Sequence, residues 1–279
     1  MQNKKITVTT IKAMKEQGEP IAMITAYDAA MARNVNEAGV EMILVGDSVG
    51  NVMLGYESTL PVTMEEMLHH TKAVMRGNST ALVVADMPFM SYQSGMRDAV
   101  INAGRFLKET GCGAVKLEGG AEVAPVVEKL VSAGIPVCAH IGLTPQSVNQ
   151  LGGFKVQGRD LQAAQKLLDD AKALERAGAF ACVLECVPSA LAAKITAALT
   201  TMATIGIGAG SGCDGQVLVC NDLLGVSAGF CPKFVKKYAD LHGTVIGAVR
   251  DYIRDVKTRE FPAQEHTFKI DDEILDRLY

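Results

Sequence analysis

Six titratable residues stand at or near the ends of short apolar runs, where buried strands would deliver them into a common space. Asp47 closes the run 42–47 and Asp86 lies at the end of 81–87. Glu118 closes 114–118 with Lys116 two residues before it, His140 falls in 136–141, and Glu185 in 179–187. The residues preceding each are core-like, so these carboxylates do not read as a solvated face. Gathering several like charges away from water is costly unless a cation neutralises them. Asp47, Asp86 and Glu118 arise from consecutive runs, and hard oxygen donors in such a group favour Mg²⁺ or a similar divalent ion. Strand alternation sends Lys116 and Glu118 to the same face; a lysine there suits a substrate carboxylate or a developing oxyanion. Glu185, one strand beyond, is placed for proton transfer. His140 fits three roles equally: an acid, an orienting group, or a packed polar residue.

These residues need elements to hold them. Apolar runs also occur at 21–27, 204–208 and 216–219, making eight in all. Near-continuous apolar strands imply burial on both faces, as in a parallel sheet. Segments of helical periodicity, among them 64–76, 96–110, 121–133, 161–177 and 189–199, lie between them. Eight βα units predict an α/β fold, a single-domain (β/α)₈ TIM barrel over residues 1–279. Residues before Ile21 read as an N-terminal helix closing one end, and residues after Pro232 as a C-terminal helical extension. In such a barrel, polar residues at the C-terminal strand ends point into the mouth, where active sites form. The long connections 48–63 and 142–160 fall on that face and are expected to act as lids. The glycine-rich run Gly206–Gly212 reads either as a phosphate cradle or as a tight turn, and it lacks the context of a dinucleotide fingerprint. Cys182 and Cys186 are expected on one face of strand six, as buried packing residues.

Composition removes several classes of function. With 48% hydrophobic residues, 21% charged and a net charge of −4, the chain is neither disordered nor basic enough for a nucleic-acid footprint. No apolar stretch approaches the ~18 residues of a membrane span, and the N-terminus has no signal-peptide core. Seven scattered cysteines, without framework spacing, point to a reduced, cytoplasmic compartment.

Several stretches, in order along the chain, resemble those of the ketopantoate hydroxymethyltransferases. They are Ile24-Thr-Ala-Tyr-Asp28, Leu44-Val-Gly-Asp-Ser48, Ser58-Thr-Leu-Pro-Val-Thr63, Ala85-Asp-Met-Pro-Phe-Met90 and Val115-Lys-Leu-Glu-Gly-Gly120. His140-Ile-Gly-Leu-Thr-Pro-Gln-Ser-Val148, Lys155-Val-Gln-Gly158, Leu184-Glu-Cys-Val-Pro188 and Ile205-Gly-Ile-Gly-Ala-Gly210 complete the set. The resemblance implies transfer of a hydroxymethyl unit from 5,10-methylenetetrahydrofolate to 3-methyl-2-oxobutanoate, giving 2-dehydropantoate for pantothenate biosynthesis. It implies Asp47, Asp86 and Glu118 as Mg²⁺-site acids, and Asp47, Ser48, Asp86 and Lys116 as substrate-binding positions. Glu185 matches the proton acceptor, and His140 is a candidate contact for substrate or folate. Large homo-oligomers, often decamers, are implied too. A metal-stabilised enolate of the keto acid, formed by loss of the C3 proton, fits these residues. Two alternatives stand beside this reading. One is a Mg-dependent lyase of the phosphoenolpyruvate mutase and isocitrate lyase type, for which the usual Lys-Arg-Cys-Gly-His-like loop is missing. The other is a non-catalytic barrel binding a phosphorylated ligand through the glycine run, which the acids at the mouth would oppose.

Overall fold

The eight apolar runs pair side by side, each parallel to the next, and the last closes on the first. The structure, a computed structural model, describes residues 5–229 and 231–278. These group into two units, 5–220 with 231–235, and 221–229 with 236–278. The expected single domain is therefore described as two parts.

The first unit is the barrel. Its strands are β1 (Ile21–Thr25), β2 (Met42–Val45), β3 (Leu82–Asp86), β4 (Ala114–Glu118), β5 (Val137–Gly142), β6 (Ala181–Glu185), β7 (Ala203–Ile207) and β8 (Gly215–Leu218). Four of them, β1, β2, β3 and β6, are two to four residues shorter than the apolar runs, because the chain leaves the sheet before the apolar character ends. Helix α1 (Val8–Gln17) precedes the barrel. The helices that follow are α2 (Ala29–Glu37), α3 (Val49–Val52), α4 (Met64–Gly77), α5 (Met96–Thr110), α6 (Ala124–Ser132), α7 (Val148–Leu151), α8 (Leu161–Arg176) and α9 (Ser189–Ala198).

Alternation sorts the strand residues into two cores. Ile43, Val45, Val83, Ala85, Val115, Leu117, Ala139 and Cys182 face outward and pack with the helices. Met23, Met42, Leu44, Leu82, Val84, Ala114, Cys138, Ala181, Val183 and Val217 face inward, joined by Ile11 and Met14 of α1. Helix α1 thus plugs the N-terminal end, and Lys15 on it pairs with Asp214 at 2.9 Å. Its start is fixed by Thr7, whose side chain accepts from the Thr10 N–H, satisfying one of the otherwise unpaired donors of a helix terminus.

One expected βα unit is missing a helix. Strands β7 and β8 are joined by residues 208–214 alone, whereas a parallel crossover ordinarily takes a dozen or more residues. The short route works because β8 starts beside the middle of β7, with Ile205 opposite Gly215, so there is little distance to recover. It also presses the turn against α9. A Cβ at Gly210 would lie 2.5 Å from Ser189 Cβ, and one at Gly208, where φ is +65°, would lie 2.8 Å from the Phe234 ring. The glycine run is a close-packed turn here. Cys182 is buried as expected, but Cys186 lies just past the end of β6 at φ +50° and is only partly buried. The two therefore do not share a strand face.

The second unit contains α11 (Leu241–Thr258) and α12 (Asp272–Leu275); α10 (Cys220–Leu223) lies where the chain enters it. The Asp240 side chain accepts from the Gly243 N–H and starts α11.

Candidate active site

The inward files explain how charge collects at one end of the barrel. Along β3 the file reads Leu82, Val84, Asp86; along β4, Ala114, Lys116, Glu118; along β5, Cys138, His140; along β6, Ala181, Val183, Glu185. Each begins apolar and ends titratable, because side chains two residues apart share a face. Asp47 reaches the same place by another route. Past β2 the chain turns through Gly46 into α3, and the Asp47 N–H donates to Asp86 Oδ2 at 2.9 Å.

All of these side chains except Glu185 are buried, with Asp47 4%, Asp86 3%, Lys116 3%, Glu118 5% and His140 3% exposed. Lys116 Nζ stands 3.1 Å from Asp86 Oδ1 and 3.9 Å from Glu118 Oε1. His140 Nδ1 is 3.1 Å from Lys116 Nζ and 3.3 Å from Glu118 Oε1. Its Nε2 is 3.4 Å from Glu185 Oε2. On the other side, Ser48 Oγ and the Tyr27 hydroxyl are hydrogen-bonded at 2.8 Å. Every site residue expected from the sequence thus lies in this one region.

Electrostatics follow from burial and neighbours. Burial, then Asp86 and Glu118, push the Asp47 carboxyl well above its ordinary range. Burial also raises Asp86, against the pull of Lys116. The Glu118 carboxyl is lowered: burial would raise it, but His140 and Lys116 outweigh that. Burial would lower Lys116, yet Asp86, Glu118 and Asp47 hold it above its usual value. For His140, burial and Lys116 act downward, while Glu118 and Glu185 lift it to about 9.

Two further residues complete the region. Gln146, from the turn Pro145–Ser147, donates through Nε2 to Asp47 Oδ2 at 2.9 Å and through its backbone N–H to Glu118 Oε2 at 3.0 Å. The Tyr92 hydroxyl lies 2.8 Å from Gln146 Oε1 and accepts from the Glu118 N–H at 3.0 Å. Sequence reasoning singled out neither. An uncharged amide and a phenol in loops carry no periodicity or charge signal, and only proximity to the acids reveals them.

As they stand, no three His, Cys, Asp or Glu side chains among the described residues are arranged to close on one ion. Lys116 and Gln146 take part of the acids' oxygens instead. The donor set nevertheless suits a hard divalent cation. Three buried carboxylates face one lysine and one histidine, and Asp86 Oδ1 and Glu118 Oε1 are buried without a hydrogen bond. Those two oxygens face only the Lys116 ammonium, 3.1 Å from Asp86 Oδ1, and the His140 ring, 3.3 Å from Glu118 Oε1. Three carboxylates thus share few donors, and a divalent ion would complete their neutralisation.

A family model described as ketopantoate hydroxymethyltransferase matches residues 5–264. The chain belongs to this family. Among ketopantoate hydroxymethyltransferase relatives, the 3-methyl-2-oxobutanoate hydroxymethyltransferase of Carboxydothermus hydrogenoformans is 63% identical over 275 residues, covering 99% of both chains. That of Syntrophus aciditrophicus is 61% identical, covering 96% of this chain and 98% of its own. The chain is accordingly an enzyme of hydroxymethyl transfer in the pantothenate pathway. Solved structures show the same fold at low identity. Phosphonopyruvate hydrolase superposes with a TM-score of 0.62 at 12% identity, covering 97% of this chain and 94% of that one. 2,3-Dimethylmalate lyase, a PEP mutase/isocitrate lyase superfamily member, gives 0.60 at 15%, covering 97% and 93%. The lyase alternative thus shares the barrel architecture alone.

Proposed function

We propose that the chain transfers a hydroxymethyl unit from 5,10-methylenetetrahydrofolate to C3 of 3-methyl-2-oxobutanoate, with Mg²⁺ held by Asp47, Asp86 and Glu118. The observation that carries this reading is the convergence of three buried acids with Lys116, His140 and Glu185 at one barrel mouth. There Asp86 Oδ1 and Glu118 Oε1 accept no hydrogen bond and are met only by the Lys116 and His140 charges. A divalent ion there would supply Lewis acidity, polarising the 2-oxo group and drawing off its developing negative charge.

The chain's own residues do the rest. Lys116 and Ser48 bind the keto acid, the lysine by charge and the serine as a hydroxyl already oriented by Tyr27. Glu185 is the least buried acid of the group, its side chain 17% exposed, and takes the proton from C3. His140, between Glu118 and Glu185, steadies the Glu185 carboxylate before it accepts that proton. The donor's carbon arrives as methylene and is delivered as hydroxymethyl, so water supplies the hydroxyl oxygen. Once the new bond forms, C3 carries four carbons and no proton. Water therefore adds to the one-carbon unit before that bond is made, breaking one C–N bond as a proton passes to the folate nitrogen. The second C–N bond breaks as the carbon is joined to C3, and tetrahydrofolate leaves.

Cytoplasmic placement rests on the seven free cysteines, and among the described residues no helix is long and apolar enough to cross a membrane. Assembly of identical chains, a decamer by family resemblance, is supported by α11. Val245, Val249, Tyr252, Ile253 and Val256 stand exposed on it at helical spacing. The reading is tested by assaying tetrahydrofolate-dependent formation of 2-dehydropantoate with and without Mg²⁺. Absence of turnover in both conditions would overturn it.

A further inference from the structure

The side-chain amide of Gln146 is saturated. A carboxamide has two N–H donors and an oxygen with two lone pairs. In Gln146, Nε2 donates to Asp47 Oδ2 at 2.9 Å and to the Met87 carbonyl at 3.0 Å. Its Oε1 lies 2.8 Å from the Tyr92 hydroxyl and accepts from Gln93 Nε2 at 3.2 Å. The orientation of the amide is fixed by chemistry, because the Met87 carbonyl can only accept. Tyr92 has a single proton and sits nearer Gln146 Oε1 than the Glu118 carbonyl, at 2.8 against 3.1 Å. The residue is 5% exposed, and its backbone N–H adds the bond to Glu118 Oε2. One residue of the β5–β6 connection therefore ties together the ends of β2, β3 and β4.

The consequence lies in which oxygens are used. Gln146 takes Oδ2 of Asp47 and Oε2 of Glu118, and the Asp47 N–H takes Oδ2 of Asp86. The other oxygens of Asp86 and Glu118 accept no hydrogen bond and face the mouth's positive groups, Asp86 Oδ1 at 3.1 Å from Lys116 Nζ and Glu118 Oε1 at 3.3 Å from His140 Nδ1. We infer that Gln146 is a positioning residue, whose amide groups hold Asp47 and Glu118 by one oxygen each so that the remaining oxygens are offered to a divalent cation. An amide suits this task better than a charged group. A lysine or arginine at this place would neutralise the acids and compete with the ion, and a glutamate would add to the repulsion. Partners behind metal ligands commonly tune affinity in this way. The inference rests on the metal reading proposed above.

The test uses Mn²⁺ as the probe, titrated by electron paramagnetic resonance into the full-length protein without keto acid or folate. Gln146→Met keeps the bulk of the side chain and removes both donors and the acceptor. Its Mn²⁺ dissociation constant, measured below the variant's melting temperature, is expected to rise about 10- to 100-fold. Its melting temperature in EDTA is expected to fall, because Asp47 Oδ2 and the Met87 carbonyl lose their donor. Tyr92→Phe leaves Gln146 in place and removes the hydroxyl that orients its amide, so it serves if the methionine variant does not fold. It is expected to weaken Mn²⁺ binding by a smaller factor in the same direction. If the parent binds Mn²⁺ and the folded variants bind it within twofold of the parent, Gln146 does not position the acids. If the parent itself binds no Mn²⁺, the metal reading fails and takes this inference with it.

Discussion

His140 Nε2 lies 3.4 Å from Glu185 Oε2, while Nδ1 of the same ring lies 3.3 Å from Glu118 Oε1. One imidazole therefore spans carboxylates from the strands on either side of it. This arrangement separates two jobs among like groups. Glu118 is deeply buried with the other acids, and Glu185 stays at the mouth where a proton can be exchanged. Glu185→Gln is expected to bind 3-methyl-2-oxobutanoate and lose deuterium exchange at C3 by about 100-fold or more. Proton NMR of the keto acid in D₂O, with no folate present, reads this directly. Exchange at the parent's rate would remove Glu185 as the C3 base.

Lys116 is the ammonium nearest to Asp86, at 3.1 Å. Removing one partner of a buried ion pair leaves the other charge uncompensated, at a cost of about 3–5 kcal/mol. Lys116→Met is expected to melt well below the parent in EDTA and to recover part of the loss in excess Mg²⁺, which binds only the folded site. Equal melting temperatures in EDTA would show that the lysine does not hold the acids together.

Gly142 is where β5 comes against the end of β6. Its φ is +95°, and a Cβ there would lie 2.3 Å from the Glu185 carbonyl oxygen. The Leu143 N–H donates to that same carbonyl at 2.8 Å. Gly142→Ala is expected to cost about 1–3 kcal/mol of overpacking and to displace Glu185. Turnover should then fall more than keto-acid affinity, a split that kcat and KM measured together would reveal. An unchanged kcat in a folded variant would mean that the Glu185 carboxylate tolerates the shift.

Far from the mouth, Glu175 sets a pH dependence of stability. Burial would raise its carboxyl, but the N–H groups of Thr201, Met202 and Thr200 outweigh burial and lower it, through bonds to Oε1 of 2.7, 3.1 and 2.8 Å. A carboxyl lowered on folding contributes stability that is full above its ordinary value of 4.5. That contribution is lost as pH falls through the lowered folded value, since the unfolded chain takes up the proton first. Glu175→Gln should therefore lose about 1 kcal/mol at neutral pH and show a flatter acid limb below pH 4.5. Denaturant unfolding across pH 3–7 (chosen to span that limb) checks it; parallel acid limbs in parent and variant would refute it.

The barrel and most of its site were legible in the sequence for one physical reason. Strand alternation and apolar runs are local properties, so Lys116 and Glu118 are on one face whatever surrounds them. The same holds for Leu82, Val84 and Asp86, where an apolar file ending in a carboxylate marks both the strand and its mouth end. The route from β7 to β8 was less legible. Its glycines fit a cradle or a turn equally well until Ser189 and Phe234 are seen pressed against them. Cys186 went astray because a strand end is set by where the backbone leaves the ladder, and hydrophobicity does not mark that point.

What the sequence by itself determined is the order of the strands, the residues carried at their ends, and the family those motifs resemble. What only the tertiary structure decided is which oxygen of each acid is spent and on whom. Gln146 lies 99 residues from Asp47 along the chain, and nothing local distinguishes it from any other glutamine in a loop. Its amide acquires a role only when the β5–β6 connection folds over the mouth. There each buried carboxylate must find a donor, and closure of the barrel brings the amide within reach.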